Sequence, residues 1–494
     1  MNDLARYQLF IDGAWCDPAD GANFESINPA SGEPWAIMPA ASEADVDRAV
    51  SAAKRALYDG PWASMTATQR GKLIRRLGDL VHEHAGNLGE VETIDSGKLA
   101  RETRSQTRYV ADYYWYYAGL ADKIEGATLP IDKPDLHVFT SREPIGVVAA
   151  IVPWNAQMFL SATKLGPALA AGNTVVLKAS EEAPAPMLEF ARLIEAAGFP
   201  PGVVNVITGF GEPCGRALTS HADVGRVAFT GGPATARRVV ENTANNFAVT
   251  SLELGGKSPI VVFDDADIEG AVNGLIAGNF GATGQSCVAG SRVFLHQRVH
   301  DEILERLVAR AARINIGDPL DERTDMGPLA TKRQLEHIEA SVAETLAQGA
   351  TLLHGGRQPE NPGRGFYYQP TVLDCPNQTV KTVQEEMFGP VLSALSFADE
   401  DEAVAFANDT RFGLGAGVFT KDVARALRVS KRIRSGIVWV NTYRAISPIA
   451  PFGGFRQSGY GREAGIDAIY EYTRTKSVWI NTSSAPMADP FVMR

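Results

Sequence analysis

The chain has 494 residues, of which 45% are hydrophobic and 21% are charged, a composition typical of a globular protein with two or three domains. Its formal net charge of −11 argues against a nucleic-acid partner. The four cysteines are scattered without metal-ligand spacing, so we predict no metal site and favour a reducing, cytoplasmic compartment. No run approaches 18 apolar residues, and the first ten residues lack a signal-peptide core, so no membrane partner is expected.

The first 143 residues are predicted to be mostly helical. Residues 9–15 have the pattern of a short hairpin. Ser42 followed by Asp45 resembles a helix capping box. Apolar spacing predicts helices over 44–57, 69–99 and 101–124. Residues 128–141 contain two prolines and alternate in character, which predicts a protruding strand pair.

Apolar runs alternate with helical segments from residue 144 onward. The predicted strands are 146–152, 174–178, 203–207, 226–229 and 248–254. Strands that are apolar throughout form a parallel sheet covered on both faces, and such sheets bind ligands at the carboxyl ends of their strands. The residues at those ends are Asn155, Lys178, Gly209, Gly231 and Gly255.

A second alternating set predicts a second α/β domain. Its predicted strands are 260–263, 293–296, a strand near Val418 and 436–441, and its predicted helices are 268–280, 299–312, 332–347 and 423–434. A cleft between two such domains is where a small molecule is expected. The terminal strand 475–481 is expected to pair either with the 128–141 arm or with another subunit.

Cys287 lies in residues 280–290, where small residues and glycines surround it. Glycine lets the backbone approach a ligand closely, so a substrate could reach this thiol. A thiolate there would be a nucleophile, whereas the alternative is a small buried hydrophobic residue. The segment alone leaves both interpretations open.

Glu253 stands between two leucines at the end of a predicted buried strand. A carboxyl group in that position is costly to bury unless it has a partner or a purpose. Burial would raise its pKa towards that of a general base. The alternative is a salt bridge to Lys257.

The sequence indicates residues that contact a cofactor less strongly than it indicates Cys287 and Glu253 as reacting groups. The turn from Gly209 to Gly215 is one residue too long for the dinucleotide fingerprint, although it follows a strand and opens a helix. Lys178 could contact ribose or phosphate, or be an ordinary exposed lysine. Glu181 could bind ribose hydroxyls, or stabilise a helix N-terminus.

Taken together, seven segments resemble the aldehyde dehydrogenase superfamily, in order and at the family's spacing, from about residue 9 to residue 476. They are Pro153-Trp154-Asn155, Lys164-Leu165-Gly166-Pro167-Ala168-Leu169, Phe229-Thr230-Gly231-Gly232, Leu252 to Pro259, Gly284-Gln285-Ser286-Cys287, Glu385 to Pro390, and Pro451 to Phe455 with Ser458-Gly459. Each segment is moderately specific alone, and the ordered set is very specific.

The resemblance implies a non-phosphorylating mechanism that ends in hydrolysis. Cys287 attacks the aldehyde carbon, and the Asn155 side chain with the Cys287 N–H forms the oxyanion hole. Hydride transfer leaves a thioester, which water activated by Glu253 hydrolyses. Lys164 belongs to the same catalytic set, and Glu463 holds a family position associated with proton relay.

The resemblance also implies two ligand sites. NAD is the expected cofactor, with NADP possible but less favoured, and its predicted contacts are Ile151, Val152, Pro153, Trp154, Lys178, Ser180, Glu181, Gly211, Gly215, Phe229, Thr230, Gly231, Gly232, Leu254, Gly255, Glu386 and Phe388. The predicted substrate pocket comprises Tyr109, Ala156, Phe159, Thr163, Gly281, Arg444, Ile446 and Phe452.

The implied fold class is α/β, with two Rossmann-like, doubly wound domains and a small β arm. The cofactor domain is predicted from residues 1–120 and 144–254, and the catalytic domain from 255–458. Residues 121–143 and 459–494 are predicted to bridge subunits in a homodimer or homotetramer.

The chain departs from the commonest family pattern at several positions. Gly232 stands where many members have serine, and Ala156-Gln157 where many have an aromatic residue and proline. Thr163 replaces a frequent tryptophan, and Gly281 a frequent aromatic residue. These changes predict a wide pocket for a bulky or polar-tailed aldehyde, with Arg444 meeting either an acidic substrate group or a carboxylate of the protein.

Three rival functions are weighed against this interpretation. A cysteine hydrolase needs a positioned histidine, and none of the eight histidines lies in a recognisable motif. A structural protein that kept the fold would have no need of Cys287, Glu253 and Asn155. A CoA-acylating aldehyde dehydrogenase is the nearest rival, but Glu253 favours water as the acceptor.

Overall fold

The computed structural model describes residues 4–360, 363–487 and 489–492. Within them lie two large sheets flanked by helices and a small three-stranded arm, which confirms the predicted α/β fold class. Residues 1–3, 361–362, 488 and 493–494, which the sequence assigns to the cofactor, catalytic and bridging segments, lie outside the described residues.

The first sheet has eight strands, of which the five central ones are parallel. In spatial order they are Gly459–Tyr460, Val249–Leu254, Val224–Gly231, Val147–Ile151, Thr174–Ala179, Val204–Thr208, Leu9–Ile11 and Ala14–Cys16. The last two strands form the predicted N-terminal hairpin. The chain order reverses between Val147–Ile151 and Val224–Gly231, a switch point at which such sheets open a crevice for ligands.

The second sheet has seven strands, all parallel except the first. In spatial order they are Thr351–His354, Thr371–Asp374, Val391–Phe397, Arg292–His296, Pro259–Val262, Gly415–Phe419 and Ile437–Val440. The first three were not predicted. The strand Pro259–Val262 is fully buried at the centre and follows directly after the first sheet's Val249–Leu254, so residues 255–258 join the two sheets.

Helices cover both sheets. They are Glu43–Tyr58, Pro61–Ser64, Ala67–Glu83, Ala85–Ser96, Ala100–Leu120, Gln157–Ala170, Ala185–Ala197, Arg216–Ser220, Pro233–Thr243, Ile268–Asn279, His300–Ala311, Lys332–Ala347, Lys381–Gln384, Glu400–Asn408, Val423–Arg432 and Asp467–Glu471. The capping box of Ser42 and Asp45 is confirmed. In the described part of the chain no helix combines the length and the apolarity that a bilayer span requires.

Two predicted helices begin or end elsewhere. The helix expected over 69–99 is two helices, because His84 leaves the helical conformation between them. The helix that was expected to open with the turn from Gly209 to Gly215 begins only at Arg216, because Glu212 is extended ahead of Pro213. A small sheet formed by Ala5–Arg6, Glu33–Pro39 and Asn23–Asn28 was not predicted.

The arm settles the pairing of the terminal strand. Thr473–Asn481 runs antiparallel to Leu136–Pro144 along its whole length, and Thr128–Leu129 joins on the other side. Within this chain, the terminal strand therefore pairs with the predicted 128–141 arm, which was the first of the two alternatives. Trp479 and Ile480 on this arm are exposed.

A buried ion pair ties the first sheet to the C-terminal segment. The Arg226 guanidinium is 2% exposed and donates to the Glu471 carboxylate and to the Glu471 carbonyl, both at 2.7 Å. It also lies over the Tyr472 ring, 4.5 Å from the centroid. The Glu471 side chain is 28% exposed, so Glu471 keeps part of its contact with water whereas Arg226 loses nearly all of it.

We predict that Glu471→Ala destabilises the protein more than Arg226→Met does, and that the free energies of unfolding of the two variants differ by roughly 1–3 kcal/mol. The reason is that Glu471→Ala leaves the buried Arg226 guanidinium without its counter-charge. Thermal unfolding followed by intrinsic fluorescence measures both variants. Arg428→Met, which breaks the exposed pair with Glu400, is the matched control and should shift stability by less than about 0.5 kcal/mol. Equal midpoints for the first two variants would contradict the asymmetry.

Candidate active site

Three adjoining cavities meet between the two sheets. The strand-end cavity, about 430 Å³, lies at the switch point and is bounded by residues 151–154, 178–182, 211–219 and 229–242, with Arg333. The connecting cavity, about 200 Å³, contains Glu253, Glu386 and Phe388. The thiol chamber, about 660 Å³, is bounded by residues 98–109, 155–160, 282–288 and 444–452.

Cys287 is shared by two of these cavities. It lines both the thiol chamber and the connecting cavity, as do Asn155 and Leu160. Trp154 and Gly231 in turn line both the connecting and the strand-end cavities. A ligand that enters from the strand ends and one that enters through the chamber can therefore meet at the sulfur.

The loop before Cys287 is held in a demanding conformation. Ala282 and Thr283 both have positive φ, near +54°, which non-glycine residues adopt only when surrounding contacts hold them. The Thr283 hydroxyl donates to the Gly327 carbonyl at 3.1 Å, and Gln285 accepts from the Ala330 N–H at 2.9 Å. These contacts with residues 327–330 fix the position of the nucleophile.

The Cys287 thiol is half-buried and is strongly disfavoured as a thiolate. Burial raises its pKa to about 12, and the nearby carboxyls of Glu386 and Glu253 add to the effect, while Arg444 partly offsets it. The resting group is therefore the thiol.

Asn155 is positioned by the same loop. Its side-chain Nδ2 donates to the Gln285 carbonyl at 3.1 Å. An amide has two N–H groups, so the second is free to donate into the space next to Cys287. This is the arrangement that an oxyanion hole requires.

Glu253 is 3% exposed at the carboxyl end of Val249–Leu254, and neither carboxyl oxygen has a hydrogen-bond partner among the described residues. Burial, with a contribution from Glu463, raises its pKa well above the ordinary value. The alternative of a salt bridge to Lys257 is not found: within the described part of the chain, the Lys257 ammonium is itself buried without a hydrogen-bond partner.

Lys164 and Glu463 form a buried ion pair beside the connecting cavity. The Lys164 ammonium also donates to the Thr230 hydroxyl at 2.7 Å. The Thr163 hydroxyl donates to the other Glu463 oxygen at 2.6 Å. Thr163, which was expected to line the substrate pocket, is not among the residues that line the thiol chamber, because its buried side chain on helix Gln157–Ala170 bonds Glu463.

The strand-end cavity gathers most of the predicted cofactor residues. Those that line it are Ile151, Val152, Pro153, Trp154, Lys178, Ser180, Glu181, Gly211, Gly215, Phe229, Thr230, Gly231 and Gly232. Lys178 is 4% exposed, so it is not the ordinary exposed lysine of the alternative. Its ammonium donates to the Ala179 carbonyl at 3.0 Å and lies 3.8 Å from the Glu181 carboxylate.

The remaining four predicted cofactor residues, Leu254, Gly255, Glu386 and Phe388, line the connecting cavity. Glu386 accepts from the Gly256 N–H at 2.9 Å, and its burial raises its pKa to about 7. A side chain at Gly255 would collide with the Glu386 carboxylate, since an added Cβ would lie 2.1 Å from its oxygen.

The thiol chamber contains six of the eight predicted pocket residues: Tyr109, Ala156, Phe159, Arg444, Ile446 and Phe452. Gly281 does not line it directly, because it lies behind Arg444, whose Nη1 would be 2.5 Å from an added Cβ. The chamber also has a polar wall that the sequence interpretation missed: Lys98, Arg101, Glu102, Ser105 and Gln106. The spacing of Arg101, Glu102, Ser105 and Gln106 places them on the same face of helix Ala100–Leu120 as Tyr109, and this spacing could have indicated them; Lys98 precedes the helix.

Comparison with known proteins agrees with this geometry. Residues 15–478 match the profile of the aldehyde dehydrogenase family. The chain is 56% identical to (Z)-2-((N-methylformamido)methylene)-5-hydroxybutyrolactone dehydrogenase of Acinetobacter baylyi over 99% of this chain and 100% of that one. It superposes on an NAD+ complex of aldehyde dehydrogenase from Bacillus cereus with a TM-score of 0.95, at 40% identity and 97% coverage of both chains.

A betaine aldehyde dehydrogenase from Staphylococcus aureus in complex with NAD+ gives a TM-score of 0.96, at 36% identity, covering 99% of this chain and 98% of that one. The chain belongs to the aldehyde dehydrogenase family, and it is accordingly an oxidoreductase that converts aldehydes to carboxylic acids. This confirms the family and the reaction class predicted from the sequence, and both NAD+ complexes agree with the predicted cofactor.

We predict that iodoacetamide modifies Cys287 slowly at neutral pH and faster as the pH rises, because only the thiolate reacts. Removing a negative charge should lower the thiol pKa, so Glu386→Gln should accelerate the modification at pH 8 several-fold. Peptide mass spectrometry distinguishes Cys287 from the other three cysteines. Glu385→Gln, at the exposed neighbouring position, is the control, and an equal acceleration there would refute the charge argument.

Proposed function

We propose that this protein oxidises a bulky, polar-tailed aldehyde with NAD, using Cys287 as nucleophile and Glu253 as the base for hydrolysis. One observation carries the proposal: Cys287 lies where the thiol chamber meets the connecting cavity, so aldehyde and cofactor can reach the sulfur from opposite sides. The proposed domains keep the bounds predicted from the sequence. The cofactor domain is 1–120 and 144–254, the catalytic domain is 255–458, and the bridging segments are 121–143 and 459–494.

The residues of the strand-end cavity fit a dinucleotide. Gly211 and Gly232 face open space that a side chain would fill, which leaves room for a ligand against the backbone. Gly232 is also the N-cap of Pro233–Thr243 and provides no side-chain cap, so the first N–H groups of this helix are available to a phosphate. Lys178 and Glu181 would hold the adenine ribose, and Glu386 with Phe388 would position the nicotinamide end.

The first chemical step is attack of the Cys287 sulfur on the aldehyde carbon. The thiol pKa of about 12 means that its proton must pass to water in the open thiol chamber as the carbon–sulfur bond forms. The Asn155 amide and the Cys287 N–H stabilise the oxyanion of the adduct, each donor contributing on the order of 2.7–4 kcal/mol to such transition states. The cofactor, when bound, accepts the hydride that leaves the former aldehyde carbon.

The second step is hydrolysis of the thioester on Cys287. Glu253 takes a proton from water, which attacks the acyl carbon and releases the acid and the thiol. Its raised pKa makes it a stronger base than an exposed carboxylate once ionised. The buried pair of Lys164 and Glu463 is close enough to affect the Glu253 pKa and provides the proposed route for the proton to leave. Glu253 beside the sulfur favours water over CoA as acceptor.

The proposed substrate follows from the chamber. A volume of about 660 Å³ suits a molecule larger than acetaldehyde. The relative from Acinetobacter baylyi is a dehydrogenase of a 5-hydroxybutyrolactone. Ring opening of a 5-hydroxybutyrolactone gives a molecule with an aldehyde at one end and a carboxylate at the other, which is one kind of polar-tailed aldehyde.

A homodimer or homotetramer in the cytoplasm is proposed as the working form. The arm strand Thr473–Asn481 leaves Trp479 and Ile480 exposed, side chains that a second subunit would cover.

Cys287→Ala is predicted to abolish NADH production while NAD binding persists, because the sulfur is not needed to bind the cofactor. Glu253→Gln is predicted to release one burst of NADH per site, followed by a steady state at least about 100-fold slower, since the acyl-enzyme forms but is not hydrolysed. Stopped-flow absorbance at the NADH band measures both. Normal steady-state turnover in the Glu253 variant would remove it from the mechanism.

NAD is predicted to be preferred over NADP, because the Glu181 carboxylate would repel a 2′-phosphate while Lys178 offsets only part of the repulsion. Glu181→Gln should raise kcat/KM for NADP relative to NAD by about 10-fold. Glu182→Gln, the neighbouring acid in the same cavity, is the matched control and should leave the ratio nearly unchanged. A wild-type enzyme that uses NADP as well as NAD would overturn this assignment.

A further inference from the structure

We infer that Arg444, seated against Gly281, forms an anion subsite in the thiol chamber that binds the carboxylate of an aldehyde acid. The inference rests on the proposed function, because it assigns the part of the substrate that is farthest from the reacting aldehyde. It narrows the substrate class from polar-tailed aldehydes to anionic ones.

Gly281 makes room for the guanidinium. A Cβ added at this position would lie 2.5 Å from Nη1 of Arg444, a distance that would force the guanidinium to move. The backbone φ of Gly281 is not in the left-handed region, so other residues could adopt its conformation. The glycine is therefore needed for space and not for conformational freedom, and the space is occupied by the arginine.

Arg444 is the charged group left without a counter-ion. Its Nη1 donates to the Ala277 carbonyl at 3.1 Å, and among residues 4–360, 363–487 and 489–492 no carboxylate lies within 4.0 Å of it. Its other N–H groups belong to a side chain that lines the chamber. The expectation of a carboxylate of the protein as its partner is thus not met, which leaves the guanidinium available for a ligand.

The other charged groups of the chamber do not provide this subsite. The Lys98 ammonium pairs with Glu92 at 3.0 Å, and Arg101 pairs with Asp325 at 3.2 Å. Glu102 is the one unpaired acid of the wall among the described residues. One of its oxygens accepts from the Ala282 N–H at 3.4 Å and the other is buried, so its charge is directed into the loop.

The subsite and the nucleophile are close enough for one small molecule to reach both. Arg444 and Cys287 line the same chamber, and the charge of Arg444 lowers the thiol pKa. Phe159, Ile446 and Phe452 provide an apolar wall in the same chamber, suited to a short carbon chain. A neutral aldehyde would fill this wall but leave the guanidinium with water, whereas a carboxylate can accept two parallel hydrogen bonds from it.

The test compares 4-oxobutanoate with butanal, which have the same chain length and differ in the carboxylate. Wild-type kcat/KM should be higher for 4-oxobutanoate, and Arg444→Leu should lower the ratio of the two values by about 10- to 100-fold, mainly through KM for the anion. Arg101→Leu removes the same charge from the same chamber and is the matched control, expected to change the ratio by less than about 3-fold.

Gly281→Ala provides a second variant that keeps every charge. It should displace the guanidinium and lower the same ratio, and it should have little further effect in the Arg444→Leu background, because both changes remove one interaction. Additive effects in this double-mutant cycle would show that Gly281 does not act through Arg444 and would overturn that part of the inference.

The outcomes separate the two proposals. A wild-type enzyme that prefers butanal, an unchanged ratio in Arg444→Leu, or an equal change in Arg101→Leu would each overturn the anion subsite while leaving aldehyde oxidation in place. Absence of NADH production with both aldehydes, and with an aromatic aldehyde as a third substrate, would instead overturn the proposed function.

Discussion

The centre of this protein depends on one constraint: a thiol and two carboxyl groups are buried together. Burial raises the pKa of Cys287 to about 12, that of Glu386 to about 7, and that of Glu253 well above its usual value. Negative charges at close range in a low-dielectric site repel one another strongly. The three groups therefore cannot all be ionised at neutral pH, and the thiolate and the general base have to be formed one at a time.

A reaction in two steps needs the Cys287 thiolate and the Glu253 base at different times, so it is compatible with groups that ionise one after the other. Attack requires the sulfur to lose its proton, and hydrolysis requires Glu253 to gain one after the sulfur has become an acyl thioester without charge. The thioester carries no charge, so the sulfur places no negative charge beside Glu253 while that residue acts as the base. Gly255 and Gly453 leave room for the two carboxyl groups. A Cβ atom added at Gly255 would lie 2.1 Å from a Glu386 oxygen, and one added at Gly453 would lie 2.8 Å from a Glu253 oxygen.

Local pattern was sufficient to predict the groups that belong to strand ends. Glu253, Asn155 and Lys178 follow buried apolar runs, so their position at the edge of a parallel sheet could be inferred before any tertiary contact was known. The direction of a side chain on a fully buried helix could not be inferred in this way. Helix Gln157–Ala170 is buried on every face, and its pattern gives no sign that Thr163 faces Glu463. The partner of Gly281 was equally hidden, because it lies 163 residues away in sequence.

The chemistry and the specificity of the site are built from different parts of the chain. Glu253 and Asn155 come from strand ends of the first sheet, and Cys287 comes from a loop that is held by hydrogen bonds to residues 327–330. The wall of the chamber comes from Lys98, helix Ala100–Leu120 and the loop around Arg444. A substitution in that wall can therefore change which aldehyde binds without moving the thiol or the base. Gly281 and Arg444 share one space, so a bulkier residue at Gly281 would move the Arg444 guanidinium from its present position.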